Sequence, residues 1–108
     1  HYEGFEWIDF SDTEHSIVSF IRKGKDWRDM LIFVCNFTPA VHDNYRIGAP
    51  VDAEYIEIFN SDSEKYGGSN VLNCNVIKSE NLPYHQKPYS MVLRIPPLAV
   101  IVLRPLIK

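Results

Sequence analysis

Cysteine is scarce in this sequence, helical periodicity is missing, and no apolar run is long. Each shortage excludes a class of protein. Cysteine occurs only at Cys35 and Cys74 among 108 residues. Two cysteines do not make the disulfide framework of a small secreted scaffold. There is no C-x-x-C and no Cys/His cluster at metal spacing, so no metal or cofactor is expected. No stretch approaches the ~18 apolar residues of a membrane span, and LAVIVL at 98–103 is far too short. The opening HYEGFEWIDF has neither a basic start nor a long apolar run, so no signal peptide is expected. Cationic excess is absent too. A formal net charge of −3 and a pI near 5.7 argue against a nucleic-acid or anionic-membrane surface. The reading is a cytoplasmic protein with two free thiols, in which the sequon Asn36-Phe37-Thr38 carries no glycan.

What is present reads as strands. Hydrophobic residues make up 45% and charged residues 23%, ordinary values for one globular domain with one core. SIVSFIRK (16–23) and MLIFVCNF (30–37) are rich in β-branched and aromatic residues, with a hairpin loop at Gly24 to Asp29 between them. FEWIDF (5–10), YRIG (45–48), EYIEIF (54–59), the weaker NVIKS (75–79), YSMVLRI (89–95) and AVIVLR (99–104) complete the set. Pro96-Pro97 separates the last two, because two prolines cannot join a ladder. No segment sustains an i, i+3, i+4 apolar pattern, and there is no internal repeat. Seven to eight short strands in about a hundred residues predict an all-β antiparallel sandwich, Greek-key type.

Candidate chemistry is thin. His1, His15, His42 and His85 fall at strand edges or in loops, outside any Gly-flanked nucleophile motif, and read as surface or turn histidines. Glycoside hydrolysis needs an opposed carboxylate pair. Glu54 and Glu57 lie three apart on one predicted strand and so point to opposite faces. Asp9, Asp12 and Glu14 lie near a turn, Asp62 and Glu64 in a loop, and all read as solvated. The stretch IFNSDSEKYGGSN (58–70) has adjacent glycines after a strand, but no lysine in place for a phosphate loop and no helix behind it. Gly67, Gly68 and Asn70 suit a turn. Tyr66, Gly68 and Asn70 also suit a sugar face, and Trp27 is a second stacking candidate. The aromatics Phe5, Trp7, Phe10, Phe20, Phe33, Phe37, Tyr55 and Phe59 read by position as mostly core.

Several stretches together are similar to a known family. GFEWIDFSD (4–12), NFTPAVHDNYRIG (36–48), EIFNSDSEKYGGSN (57–70) and PYSMVLRIPPLAVIVLRP (88–105) resemble the C-terminal β-domain of bacterial 1,4-α-glucan (glycogen) branching enzymes. The most specific parts are Asn36 to Pro39, the Asn60 to Asn70 loop and Pro96 to Ala99. Each is weak alone, and their order and spacing make the match. The resemblance implies a parent that cuts an α-1,4 glucan and rejoins it through an α-1,6 linkage, on a (β/α)8 barrel with a carboxylate nucleophile and acid/base. Those residues belong to the barrel, so no catalytic residue is carried over. Residues 1–4 are then the remnant of the inter-domain connection and residues 5–108 a single C-terminal domain. Its expected partners are the barrel and, through the parent, glucan. The Tyr66–Asn70 loop is expected to pack against the barrel, with sugar contact second. The alternatives are a stand-alone glucan-binding module and a free-standing interaction domain.

One pattern asks for a cover. In MLIFVCNF, Leu31, Phe33, Cys35 and Phe37 take one side and Met30, Ile32 and Val34 the other; AVIVLR splits likewise. Only one set from each strand can fill a sandwich core. The other sets predict an apolar patch on one outer sheet face, near the Tyr66–Asn70 loop, unless the loops of residues 60–88 fold over it.

Overall fold

In residues 17–22 and 31–36, Ile17, Ile21, Ile32 and Val34 take the buried parity and Phe20 and Phe33 the other, and that split decides the architecture. The computed structural model describes residues 4–106. His1–Glu3, read as the remnant of a connection, lie outside the described residues. Among the described residues there are eight strands: β1 (Phe5–Asp12), β2 (Ile17–Arg22), β3 (Leu31–Asn36), β4 (His42–Ala49), β5 (Glu54–Asn60), β6 (Ile77–Lys78), β7 (Tyr89–Ile95) and β8 (Ala99–Pro105). They form a six-stranded sheet in the order β1-β2-β3-β8-β5-β6 and a separate β4–β7 pair, antiparallel throughout. The chain thus crosses between layers at β4 and β7, and β8 returns to lie between β3 and β5. The all-β antiparallel fold is as the sequence predicts.

The layers are unequal. Residues 75–79 give only the two-residue β6, paired with Glu54 and Tyr55. The long segment between β5 and β7 is mostly loop, so the second layer stays at two strands. The hairpin loop expected at Gly24–Asp29 holds a single 3-10 turn, Trp27–Asp29, and a second turn spans Glu64–Tyr66.

The core lies between the layers. Ile17, Ile21, Ile32, Val34, Tyr55, Ile101 and Leu103 from the large sheet meet Ile47, Met91, Leu93 and Ile95 from β4 and β7. The aromatics depart from the sequence expectation. Of the eight read as mostly core, only Tyr55 is buried; Phe5, Phe20 and Phe33 are half-buried, and Trp7, Phe10, Phe37 and Phe59 are exposed. The aliphatic residues already fill the inner face, so the aromatic parity points out.

Candidate functional site

The outward parity builds a continuous surface. The register places Trp7 opposite Phe20, Phe20 opposite Phe33, Phe33 opposite Val102, and Val102 opposite Phe59. Directly opposed residues on neighbouring strands share a face. One apolar row therefore crosses β1, β2, β3, β8 and β5. Phe20 and Phe33 stack with centroids 5.0 Å apart, Phe5 stacks on Phe20 at 5.2 Å, and Tyr66 closes the far end at 5.6 Å from Phe59. A second row holds Val18, Cys35 and Val100. Phe37 stands 63% exposed just beyond β3. The bulge in β5 between Glu57 and Phe59 sets the outward aim of Phe59. The predicted apolar patch is thus present, beside the predicted loop. The loops do not cover it, because Asn73 pins them to β7 instead: its side chain donates to the carbonyl of Arg94 (2.9 Å) and accepts from the Arg94 N–H (2.8 Å).

The Tyr66–Asn70 loop is internally satisfied. Asn60 is buried and accepts from the Asp62 N–H (2.8 Å), while its amide donates to the carbonyl of Val71 (2.9 Å). Asp62 is 6% exposed rather than solvated. Its carboxylate accepts from the Ser69 N–H and hydroxyl and from the Val71 N–H, all within 3.0 Å. Burial raises its pKa, but those hydrogen bonds outweigh burial and hold it below the usual carboxylate range. Asn70 turns its side-chain oxygen inward to the Glu64 N–H (3.1 Å). Gly67 has φ +83° and ends the 3-10 turn. The carboxylate at the centre of this loop would repel phosphate. Tyr66 is the large apolar side chain of the loop that points outward, 55% exposed with the Lys65 ammonium over its ring. Asn36 does the same work after β3. It is buried, donates to the carbonyls of Ala40 and Pro96, and accepts from the Thr38 N–H and hydroxyl. An amide so engaged is no glycan acceptor.

Trp27 lies elsewhere. It lines a groove with Glu54 at the start of β5, whereas Tyr66 lines a hollow with Asn60 at its end. The fold does not bring the two stacking candidates together.

Sequence reading missed a polar cluster between β1 and β4. The Tyr84–Lys87 turn has His85 and Gln86 at φ +50° and +61°, a conformation costly for residues other than glycine. It carries His85 against β4, where its Nδ1 accepts from the Gly48 N–H (3.1 Å). The neutral ring proton therefore sits on Nε2, 3.5 Å from Asp9 Oδ2. Burial pushes the His85 pKa down, opposed by Asp9 and Asp12. Asp12 accepts from the Tyr45 hydroxyl and faces His15 Nδ1 at 2.9 Å; His42 packs edge-on to His15 at 4.9 Å. Ser11 donates to Asp9 rather than to an imidazole (2.8 Å), so this arrangement does not activate its hydroxyl. Among the described residues no group of three or more His, Cys, Asp and Glu could hold a metal. The cluster ties the two layers together, and bulges in β1 around Asp9 bring its parts into reach. Two irregularities in a strand leave no signal in sequence alternation.

Other candidates are also structural. Glu57 accepts from Asn60 and Asn73, and Glu54 faces the Lys78 ammonium at 3.9 Å. Cys35 and Cys74 are free thiols, and burial pushes the Cys35 thiol up, away from the reactive thiolate.

Comparison with known proteins agrees with this geometry. The 1,4-alpha-glucan branching enzyme GlgB of Thermosynechococcus vestitus is 55% identical over 102 residues, 94% of this chain and 13% of that protein. The enzyme of the same name from Halothermothrix orenii is 55% identical over 103 residues, 95% of this chain and 16% of its own length. That from Rubrobacter xylanophilus is 45% identical over 103 residues, 95% of this chain and 14% of its own. The chain therefore spans about a seventh of the length of these relatives. Residues 7–105 match the family described as alpha amylase, C-terminal all-beta domain. With the match running from β1 to β8 and an all-antiparallel sandwich to go with it, the chain belongs to the alpha-amylase C-terminal all-beta domain family.

Proposed function

We propose that this chain is the non-catalytic terminal domain of a 1,4-α-glucan branching enzyme. It supports a catalytic barrel that carries the glycosyl-transfer carboxylates. The observation that carries this reading is the apolar row Trp7–Phe20–Phe33–Val102–Phe59, buried at Val102 but 45% and 40% exposed at its ends, Trp7 and Phe59. Exposed apolar patches above a few hundred Å² are unusual on monomers and mark contact surfaces. Domain contacts within one polypeptide typically bury roughly 600–1,500 Å², a scale such a face can supply. On this reading residues 5–108 are one domain and residues 1–4 belong to the connection. Tyr66, Gly67, Gly68 and Asn70 form the rim of the contact, since Tyr66 extends the row past Phe59. Two free thiols suit a reducing cytoplasm.

The test is iodine staining of amylose. The chain alone is expected to leave the long-wavelength absorbance unchanged, while the longer natural polypeptide lowers it. A fall produced by the chain alone, in a preparation free of host enzyme, would overturn the reading.

A further inference from the structure

The Tyr84–Lys87 turn is strained where it meets β4. Tyr84 and Lys87 exchange both backbone hydrogen bonds, at 3.1 and 2.9 Å, and leave His85 and Gln86 as the two central residues in left-handed backbone. In such a two-residue turn glycine and asparagine sit comfortably. Histidine and glutamine do not, and strain of this kind persists only where the surroundings hold it. The turn lies directly on β4: a Cβ on Gly48 would meet the Tyr84 carbonyl oxygen at 2.3 Å and the His85 Cβ at 3.0 Å. The β4–β7 sheet has two strands, so β4 has a free edge. There the Gly48 N–H donates to His85 Nδ1 at 3.1 Å. On the other side Lys87 pairs with Glu6 of β1.

The bond to Gly48 is conditional. An imidazole has an acceptor nitrogen only while it is neutral, and both nitrogens of the imidazolium donate. A protonated Nδ1 and the Gly48 N–H would face each other as two donors. The charged ring has a partner on its other side, because Nε2 stands 3.5 Å from Asp9 Oδ2. The titratable and charged groups around the ring are Asp9 and Asp12 of β1, His15 beyond it, Tyr45 and Arg46 of β4, and Tyr84 of the turn itself. Arg46 is turned away to Ser90 (2.7 Å) and Glu80 (3.2 Å), so the two carboxylates dominate the field at the ring. Burial nevertheless keeps His85 neutral to a lower pH than an ordinary histidine. Lys23 and Lys87 hold Glu6 below the usual carboxylate range, so the Lys87 tether stays charged while His85 titrates.

We propose that His85 is a proton-operated latch on the β4 edge. Protonation breaks its bond to Gly48, draws the ring onto Asp9 and lifts the Tyr84–Lys87 turn off β4, with the Lys87–Glu6 pair as the tether about which it moves. Opening relieves the left-handed strain and bares the backbone of β4 at Gly48, an edge that folded proteins otherwise keep covered. The device does not depend on what a longer polypeptide catalyses, so it stands or falls apart from the branching-enzyme reading.

The test is amide hydrogen exchange of the whole chain by NMR, corrected for the intrinsic pH dependence of exchange. Between pH 7.5 and 5 the Gly48 amide should lose about tenfold in protection, the scale of one hydrogen bond. The midpoint should follow the titration of the His85 imidazole signals. The amide of Val34, buried in the middle of the large sheet, should change several-fold less. In His85→Gln the side-chain oxygen accepts the Gly48 proton but does not titrate, so protection should be retained and flat with pH. In His85→Ala, which offers no acceptor, it should be low at every pH. The wild-type midpoint decides by itself where a variant does not fold. The latch is overturned if Gly48 protection does not change as His85 titrates, if Val34 loses as much, or if the pH dependence survives in His85→Gln.

Discussion

At the scale of single residues, the family-like motifs turn out to be hydrogen-bonding devices. Asn36, Asn60 and Asp62 are buried polar groups that close loops, and each of them was visible in the sequence only as a short polar pattern. The two glycines after Tyr66 illustrate how differently neighbours can act. Gly68 needs the absence of a side chain, because a Cβ would meet the Asp62 carbonyl at 2.2 Å. Gly67 needs only its left-handed φ, and a Cβ there meets nothing within 4 Å. We expect Gly67→Ala to cost about 1–2 kcal/mol, the price of that conformation for an L side chain. Gly68→Ala should cost clearly more and loosen the Asp62 network. Urea denaturation of both variants decides, and equal costs would contradict this account. His85 offers a second measurement. Its folded pKa lies below the unfolded value of about 6.5, because burial disfavours the charged ring against the pull of Asp9 and Asp12. The unfolded chain therefore binds the proton first. Stability should fall as pH drops below about 6.5 and level off beneath the folded pKa. The slope in melting temperature between pH 7 and 5 should flatten in His85→Gln. A slope that persists unchanged would place its source elsewhere. Nothing in the sequence marked His85 as half-buried, since the strained turn that inserts it carries no glycine.

At the scale of elements, most strands were legible and their irregularities were not. YSMVLRI alternates cleanly and becomes β7 over the same residues, Tyr89–Ile95. MLIFVCNF showed two apolar sets, and the structure assigns Ile32 and Val34 to the core and Leu31, Phe33 and Cys35 to the outer face. The bulges in β1 and β5 have no such signature. An extra residue in a strand shifts every later side chain, and only the partner strand reveals it. NVIKS pairs as a strand only at Ile77 and Lys78, and the segment just before it is held by side-chain bonds rather than by a ladder. Asn73 is the clasp: it donates to Glu57 at 2.8 Å and bonds both backbone groups of Arg94. Removing it leaves those groups without their partner. Asn73→Ala should cost about 1–3 kcal/mol. Limited proteolysis should then cut faster within residues 71–80. Unchanged cleavage would mean that Glu80 pairing with Ser90 suffices to hold the segment.

At the scale of the whole molecule, the sandwich has more apolar surface than its own core can use. The large sheet buries its aliphatic face against β4 and β7, while its aromatic face stays open. Composition hid this, because aromatic residues are usually counted as core; the double apolar pattern of two strands disclosed it. Phe37 and Phe59 make the consequence measurable. Phe37 is 63% exposed, so replacing it in the isolated chain removes little buried area; Phe59, 40% exposed and in ring contact with Tyr66, loses more. Phe37→Ser should shift its stability by no more than about 0.5 kcal/mol, as surface changes do, and Phe59→Ser should lower it by about 1–2 kcal/mol, the share of a phenylalanine's burial it already has. Both should also reduce binding of a hydrophobic dye and any self-association. In the longer polypeptide the same side chains would be covered by the neighbouring domain. Fully burying a phenylalanine is worth about 1.5–3 kcal/mol, so there each substitution should lower the stability of the joined domains by an amount on that order. The comparison of the two contexts carries the argument, since a purely internal role would give the same loss in both. Equal losses would show that the aromatic row serves the fold alone, and the docking of this face would have to be abandoned.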